Sequence, residues 1–297
     1  MKLIRGNSFY FPAPVTIGGF MIEKELILFD TGNDDSSVRK AYRELDGVKI
    51  IAVLNTHSHA DHCGGNSYIK RQFEAIVYAP ELETSFIEQP ILEPTYLYGA
   101  SPVRELQNKF LLAKPSIVDH VIKSEERLEI MIGNRGYTFQ PISLKGHAPN
   151  QYGYLTEDHI AYLGDALISS EMVAKHPLIF TYDVTDHYAS LEKLKTLKAD
   201  GYVIAHGGYY ESIDLLISDN KNALDRTQDI ILSSLSKGGL SFDGLHQILF
   251  DSYGMTENLS QNLLNRSVIR AHVKHLVDRG DVSLSVHKGC IMLLKST

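Results

Sequence analysis

Short apolar runs separated by polar turns dominate the first half of the chain and predict β-strands. The segment from Thr16 to Asp34 holds two such runs joined at the charged pair Glu23-Lys24, a pattern that predicts a hairpin. The run from Val48 to Leu54 is rich in Val and Ile and ends in polar residues, as a buried strand that leads into a loop does. Further apolar runs between Arg127 and Gly164 predict a second sheet.

An irregular insert follows the first predicted strands, from Pro80 to Lys123. It contains five prolines and several aromatic residues but no clear helical or strand period. We expect helical segments and loops that form a lid over a site. Tyr96 and Tyr98 are candidate substrate contacts, because a tyrosine offers both an apolar face and a hydroxyl group. The pattern is equally compatible with tyrosines that only close the lid or form a dimer contact.

The period of the apolar positions becomes helical after about residue 220, which predicts two domains, 1–220 and 221–297. Three helices are expected in the second, with Ser241 as the N-cap of its second helix and a break near Asn265 in its last. The final segment predicts a hairpin around His287-Lys288-Gly289. Three helices and a hairpin are similar to a winged-helix unit, so this domain is predicted to be small and mostly helical.

Composition and charge narrow the class of protein. The chain has 297 residues, of which 43% are hydrophobic and 22% charged, as in ordinary folded proteins. Its net charge of -7 argues against nucleic acid as a partner, although residues 221–297 carry nine Lys and Arg against seven Asp and Glu. No apolar run reaches the ~18 residues of a membrane span, and the first residues lack a secretory pattern, so we expect a cytoplasmic protein without a membrane partner. Cys63 and Cys290 are too few for a disulfide framework, and both are expected to pack as structural side chains.

Metal-ligating residue types are concentrated in one short motif, where His57, His59, Asp61 and His62 lie within six residues. Residues two apart on an extended segment project the same way, so the first two histidines can converge on one ion and leave Asp61 and His62 for a second. One loop is not enough, because each ion needs about four ligands. Three later candidates each follow an apolar run and adjoin a glycine: His147, Asp165 and His206.

Five motifs in order, LILFDTGND, THSHADHCGGN, GHAP, GDAL and AHGG, resemble the metallo-β-lactamase superfamily of hydrolases over residues 17–210. The resemblance implies an α+β fold, an αββα sandwich with two divalent metal ions at one edge of its sheets. Zinc is the expected ion, with manganese or iron as alternatives. Asp30 would orient the histidine loop. The implied ligands are His57, His59 and His147 for the first ion, Asp61, His62 and His206 for the second, and Asp165 as the bridge between them.

The same resemblance implies a reaction. Two ions that share a hydroxide would cleave a small ester, thioester or lactone, with Asp61 as the catalytic residue that accepts or passes a proton. Glyoxalase II enzymes share the ligand set, so their branch is favoured, although we find no basic cluster for glutathione. Two alternatives stay open: a mononuclear iron persulfide dioxygenase, and a DNA-binding regulator with an enzymatic sensor domain. The expected partner is a small acyl compound, a homo-oligomer is compatible with the sequence, and the eight histidines outside the motifs are not expected to bind metal.

Overall fold

Two sheets stack face to face in the computed structural model, which describes residues 1–43 and 45–296. The strands of the first sheet lie side by side in chain order, and they are β1 (Lys2–Arg5), β2 (Ser8–Phe11), β3 (Ile17–Ile22), β4 (Glu25–Phe29), β5 (Lys49–Leu54), β6 (Ile76–Pro80) and β7 (His120–Ile122). Neighbours from β1 to β4 are antiparallel and those from β4 to β7 are parallel. The predicted hairpin at Glu23-Lys24 is confirmed, since Ile22 pairs with Glu25.

The second sheet forms from the later runs, as predicted. Its strands are β8 (Leu128–Ile132), β9 (Arg135–Ser143), β10 (Tyr152–Thr156), β11 (Ile160–Tyr162), β12 (Gly201–Ile204) and β13 (Gly208–Tyr210). They lie in the order β13-β12-β11-β10-β9-β8, and β11 and β12 are parallel. A crossover that carries a helix connects these two strands, as parallel pairing requires.

Aromatic side chains from both sheets fill the space between them. Phe29 of the first sheet stacks on Tyr162 of the second, with ring centroids 3.9 Å apart. Phe20 meets the edge of Phe139 at 5.2 Å. Offset and edge-to-face contacts of this kind add about 0.5–1.5 kcal/mol each beyond the apolar area that they bury. The two sheets are therefore joined by one packed aromatic core.

Helices cover the outer face of each sheet. Helices α1 (Asp35–Tyr42) and α3 (Asn66–Phe73) pack on the first sheet through Val38 and Ile69. Helices α7 (Val184–Thr196) and α8 (Asp214–Leu235) pack on the second, and the short helices α2 (Ala60–Cys63) and α6 (Ser170–Lys175) lie near the strand ends. The layer order is thus helix, sheet, sheet, helix. The predicted αββα sandwich is confirmed.

The insert contains helical segments and loops, as expected: α4 (Glu81–Glu88), α5 (Leu92–Tyr98) and a 3-10 turn at Arg104–Leu106. It also contains strand β7, which the pattern did not predict. Leu97, Leu106 and Leu111 form a small cluster that packs against Leu263 and Leu264 of the tail. The insert and the tail therefore support one another on the same side of the sandwich.

The tail contains α9 (Phe242–Tyr253), α10 (Leu259–Asp278) and a sheet of β14 (Leu240–Ser241), β16 (Cys290–Lys295) and β15 (Val282–His287), in that spatial order. Ser241 caps α9 as predicted, accepting a hydrogen bond from the amide of Gly244 at 3.1 Å. The terminal hairpin is confirmed, since His287 pairs with Cys290. No helix in the described part of the chain is both long and apolar enough to cross a membrane.

Three details of the tail differ from expectation. Helix α10 runs without a break through Asn265, because that side chain is buried and bonds within the protein instead of ending the helix. Cys290 is exposed at the start of β16 and is not packed. The expected boundary at 220/221 falls inside α8, a single helix whose first half packs on the second sheet and whose second half packs in the tail. The division into two domains stays a prediction.

Candidate metal centre and active site

The candidate ligands lie at one edge of the sandwich, just past the ends of strands. His57 follows β5, Asp165 follows β11 and His206 follows β12. Loops that leave a rigid sheet at the same edge place their side chains together, which explains why ligands far apart in sequence meet in space.

The structure brings the three ligands proposed for the first ion into one group. His57 Nε2 and His147 Nε2 each lie 3.0 Å from His59 Nδ1. All three atoms lie within 4.8 Å of one another, and two of the three residues are buried. Three imidazole nitrogens that face a common point are a typical zinc site.

The ligands proposed for the second ion form a neighbouring group, made of Asp61, His62 and His206, whose atoms also lie within 4.8 Å of one another. Asp165 lies between the two groups. Its Oδ1 is 3.4 Å from His62 Nε2, and its Oδ2 is 3.4 Å from His147 Nε2 and 3.2 Å from His206 Nε2. One carboxylate therefore reaches nitrogens of both groups.

Asp30 orients two of the imidazoles. It is buried beyond the end of β4, and its Oδ2 accepts a hydrogen bond from His62 Nδ1 at 2.8 Å and another from the Thr56 hydroxyl at 2.7 Å. The Thr56 oxygen in turn accepts from His57 Nδ1 at 2.9 Å. Both rings thereby carry a proton on Nδ1, so that Nε2 is the nitrogen of each ring that faces the centre.

The donor set fits divalent metal ions. His147 donates from Nδ1 to the carbonyl of Phe180 at 3.1 Å, which leaves its Nε2 unprotonated. His62 Nε2 and Asp165 Oδ1 are buried without any hydrogen-bond partner among the described residues, a costly arrangement unless an ion satisfies them. Burial lowers the pKa of His59 to about 4 and that of His147 to about 3, so both are neutral and able to bind metal at pH 7.

Opposite charges hold the carboxylates of the centre ionised. Burial alone would raise the pKa of Asp165, but His206 and His62 bring it well below its usual value. Asp165 in turn raises the pKa of His206 to about 10. A proton on His206 therefore occupies a position that a metal ion would take, and binding of the ion would release that proton.

Glu83 is a functional residue that the sequence did not reveal. This fully buried carboxylate of α4 accepts hydrogen bonds from the amide and hydroxyl of Ser58 at 3.0 and 2.6 Å. Its other oxygen accepts from the amide of Asn150 at 2.7 Å. Glu83 thus ties the loop of His57 and His59 to the loop of His147. A lone Glu among several in the insert gave no signal of this contact.

We expect Glu83→Gln to loosen both ligand loops. A glutamine must present an NH₂ group to one of the two sets of N–H and O–H donors, so at least one hydrogen bond is lost at a cost of about 1–3 kcal/mol. Turnover should fall about tenfold and metal affinity should weaken, measured by kinetics and by metal titration. Glu81→Gln, an exposed change on the same helix, is the matched control. Wild-type metal affinity in the Glu83 variant would rule out this role.

Gly64 and Gly65 allow the histidine loop to lie close to neighbouring backbone. A Cβ atom at Gly64 would stand 2.0 Å from the carbonyl oxygen of Asn33, and one at Gly65 would stand 2.4 Å from a methyl group of Val38. Neither glycine has a positive φ. Their role is to leave space for these neighbours rather than to make a tight turn.

Cys63 packs beneath the loop, as predicted. Its Sγ donates to the carbonyl of Ser58 at 3.1 Å, and burial raises the pKa of the thiol well above its usual value, so it is not a thiolate. We expect Cys63→Ser to retain metal and turnover and to lower the free energy of unfolding by at most about 1–2 kcal/mol. Kinetics, metal analysis and thermal unfolding check this. Complete loss of turnover in a folded variant would favour a cysteine-assisted reaction.

A cavity of about 340 Å³ opens over the metal ligands. Its walls come from three parts of the chain that are far apart in sequence: the insert, the segment around α6, and α10 of the tail. Tyr96 and Tyr98 do not line it and are 36% and 43% exposed. On the short helix α5, Glu93 and Leu97 occupy the buried face and the two tyrosines do not. The residues of the same insert that line the cavity are Glu93, Phe110 and Leu111, and a substrate contact by the two tyrosines stays a prediction.

Two of the histidines outside the motifs, His176 and His187, line this cavity, although neither joins a ligand group. His187 bonds through Nδ1 to the Thr181 hydroxyl at 3.1 Å. Burial lowers its pKa to about 4, so it is neutral at pH 7. These residues belong to the substrate cavity and not to the metal centre.

Glu93 should make stability depend on pH. Burial raises the pKa of its carboxyl well above the usual 4.5, so the folded protein loses stability as pH rises from about 4.5 through that higher pKa. In metal-free protein, Glu93→Gln should therefore raise the free energy of unfolding by about 1–3 kcal/mol at pH 8, and by less at pH 5. Denaturant unfolding at the two pH values checks this. An equal gain at both would contradict the burial of an ionisable carboxyl.

Comparison with known proteins agrees with this geometry. The family model described as the metallo-beta-lactamase superfamily matches residues 19–206. The chain belongs to the metallo-beta-lactamase superfamily. Among curated superfamily relatives, the Probable metallo-hydrolase YqgX of Bacillus subtilis is 25% identical over 201 residues, which cover 67% of this chain and 87% of that protein. The hydroxyacylglutathione hydrolase GloC of Haemophilus influenzae is 24% identical over 49% of this chain and 62% of its own length.

Solved structures share the fold over almost the whole chain. A metallo-beta-lactamase family protein from Thermus thermophilus superposes with a TM-score of 0.74 at 18% identity, covering 98% of this chain and 97% of its own. A beta-lactamase domain protein from Burkholderia ambifaria gives 0.73 at 17% identity, covering 97% and 91%. These structures show that the likeness of fold extends over the tail. The family match and the curated relatives show that the protein is a metal-dependent hydrolase of this superfamily.

Proposed function

We propose that the protein is a dinuclear metal-dependent hydrolase that cleaves a small ester, thioester or lactone. The observation that carries this proposal is the position of Asp165, whose two oxygens reach nitrogens of both ligand groups. Two zinc ions, or manganese or iron in their place, would be held by the seven residues described above. When bound, two such ions lower the pKa of a shared water and supply hydroxide near neutral pH.

The residues of this chain then have separate tasks. Asp61 lies on the cavity side of the second group, 3.5 Å from His206 Nε2, with a side chain that is 32% exposed. It is placed to hold a proton taken from water and to pass it to the leaving group. Asp30 and Glu83 keep the ligand loops in position, and the insert and α10 enclose the substrate and exclude water.

The alternative of a mononuclear iron dioxygenase is less well supported. The second ligand group is complete, with Asp61, His62 and His206 in reach of one another. A single ion in the first group would leave the buried Nε2 of His62 without a partner, and such a group is costly to bury.

A DNA-binding regulator would need basic side chains that are free to contact phosphate, but those of the last helix already have partners within the protein. On α10, Arg266 pairs with Asp243 at 2.6 Å, and Lys274 pairs with Asp183 and Asp278 at 2.9 Å each. Arg270 lies over the ring of Phe242, and Arg279 pairs with Asp281 at 3.0 Å. Basic side chains already paired within the protein are poor phosphate contacts, because binding DNA would first break these pairs.

A substrate panel tests the proposal. The zinc-, manganese- and iron-loaded proteins are assayed on short-chain esters, thioesters and lactones, with His59→Ala as the inactive reference. We expect hydrolysis of at least one class by the wild type, and loss of that activity in the variant. Oxygen consumption with a persulfide and no hydrolysis in any metal form would overturn the proposal in favour of the dioxygenase.

A further inference from the structure

The cavity over the metal centre has an unusual balance of charge. Its walls carry the carboxylates of Asp61, Glu93 and Asp165, and no lysine or arginine of residues 1–43 and 45–296 lines it. Asp61 and Asp165 lie among the histidines and would be compensated by metal ions. Glu93 belongs to neither ligand group, so it is the carboxyl of the cavity wall that stays available to a bound ligand.

The Glu93 carboxyl has no partner within the described chain. The residue is only 7% exposed, yet its side chain makes no hydrogen bond or ion pair with any described residue. The same cavity wall contains the apolar side chains of Phe110, Leu111, Leu264 and Val268, together with polar ones such as Gln261. Burial of an unpaired carboxyl favours its neutral form, whereas a positive charge beside it favours the ionised form. A cationic group on the ligand that fills the cavity is therefore the partner expected for Glu93.

The two lysines that lie close in sequence to cavity-lining residues form ion pairs with aspartates that do not line the cavity. Lys109 precedes Phe110 but pairs with Asp34 at 3.2 Å and is 62% exposed. Lys114 pairs with Asp35 at 2.9 Å. Neither is available to hold an anionic substrate, and a glutathione conjugate, the class acted on by the hydroxyacylglutathione hydrolase relatives, is anionic.

We propose that the substrate is an acyl compound with an apolar body and a positively charged nitrogen, and that Glu93 is the residue that selects for this charge. The apolar wall accepts the carbon chain, Glu93 pairs with the cation, and the metal centre receives the bond to be cleaved. This proposal rests on the hydrolase function above and names its substrate class.

Binding of two charge-matched probes tests the proposal without relying on turnover. Hexyltrimethylammonium is a cation that cannot ligate metal, and hexanesulfonate is an anion with the same carbon chain. Each is titrated by calorimetry into the zinc-loaded full chain, as wild type, Glu93→Gln and Glu105→Gln. Glu105 is an exposed glutamate of the same insert that does not line the cavity, so its change is a matched control for net charge.

We expect the wild type and Glu105→Gln to bind the cation at least about tenfold more tightly than Glu93→Gln does. The wild type should also bind the cation more tightly than the anion. Equal cation affinity in all three proteins, a preference for the anion, or no binding of the cation would each overturn the proposal. If Glu93→Gln does not fold, Glu93→Leu serves for the same comparison. The preference of the wild type for the cation over the anion can be measured without any variant. Failure of the substrate panel would count against the hydrolase function, whereas the binding titrations would still show whether Glu93 selects for positive charge.

Discussion

Asp165→Asn is expected to reduce turnover by at least about 100-fold and to lower the metal content of the purified protein. The substitution barely changes the volume of the side chain, but it removes the negative charge that lies between the two ligand groups. The Asp165 carboxylate is 3.4 Å from His147 on one side and 3.2 Å from His206 on the other. A neutral amide cannot balance two divalent ions, and its NH₂ group would repel one of them.

The measurements are kcat on the best substrate of the panel and metal per chain by elemental analysis. Asp186→Asn, an exposed change at the start of α7, is the control for loss of one negative charge. If the Asp165 variant kept two tightly bound ions and wild-type turnover, Asp165 would not be the bridge.

Removal of residues 221–297 is expected to give an insoluble or unstable protein. The cut divides α8 and takes away Leu224, which is packed in the core of the second sheet. It also uncovers Leu178 and the small leucine cluster of the insert, which the tail covers in the intact protein. Loss of several fully buried leucines costs about 2–5 kcal/mol each, comparable to the whole stability of a typical domain.

Expression, solubility and thermal unfolding of this truncation are the measurements, with a second truncation after residue 237 that keeps α8 whole as the comparison. A soluble, active 1–220 fragment would show that the tail is an independent unit.

The intact protein should bind duplex DNA at ~0.15 M salt no more tightly than the non-specific range of about 10⁻⁴ to 10⁻⁶ M. Tighter, sequence-selective binding would favour the regulator hypothesis instead.

The sequence predicted the sandwich correctly, and the structure groups the residues whose role as metal ligands stays a prediction. A run rich in Val and Ile, such as Val48–Leu54, favours a buried strand. A motif with three histidines in six residues is rarely explained by packing alone. The loops around His147 and His206 could be found because each follows a strand and adjoins a glycine. Local patterns therefore indicated the residues that the structure groups as candidate ligands, although they did not indicate Glu83.

Contacts that depend on tertiary packing were not predictable in the same way. In the sequence, Glu83 and Glu93 are two of several glutamates in an irregular insert. Only the fold shows that Glu83 connects two loops and that Glu93 lines the cavity. Tyr96 and Tyr98 were chosen for their chemistry, but the rotation of α5 decides which side chains reach the cavity. Asn265 was expected to break a helix because of its low helix propensity, and burial in the tail core overrides that tendency.

The central claim, two metal ions that act together in hydrolysis, is tested most directly by titrating zinc into chelator-treated protein while following both bound metal and hydrolysis. The account predicts two equivalents of zinc per chain at saturation, with full activity reached only as the second ion binds. Saturation and full activity at a single equivalent, or activity only with one iron and oxygen, would contradict it.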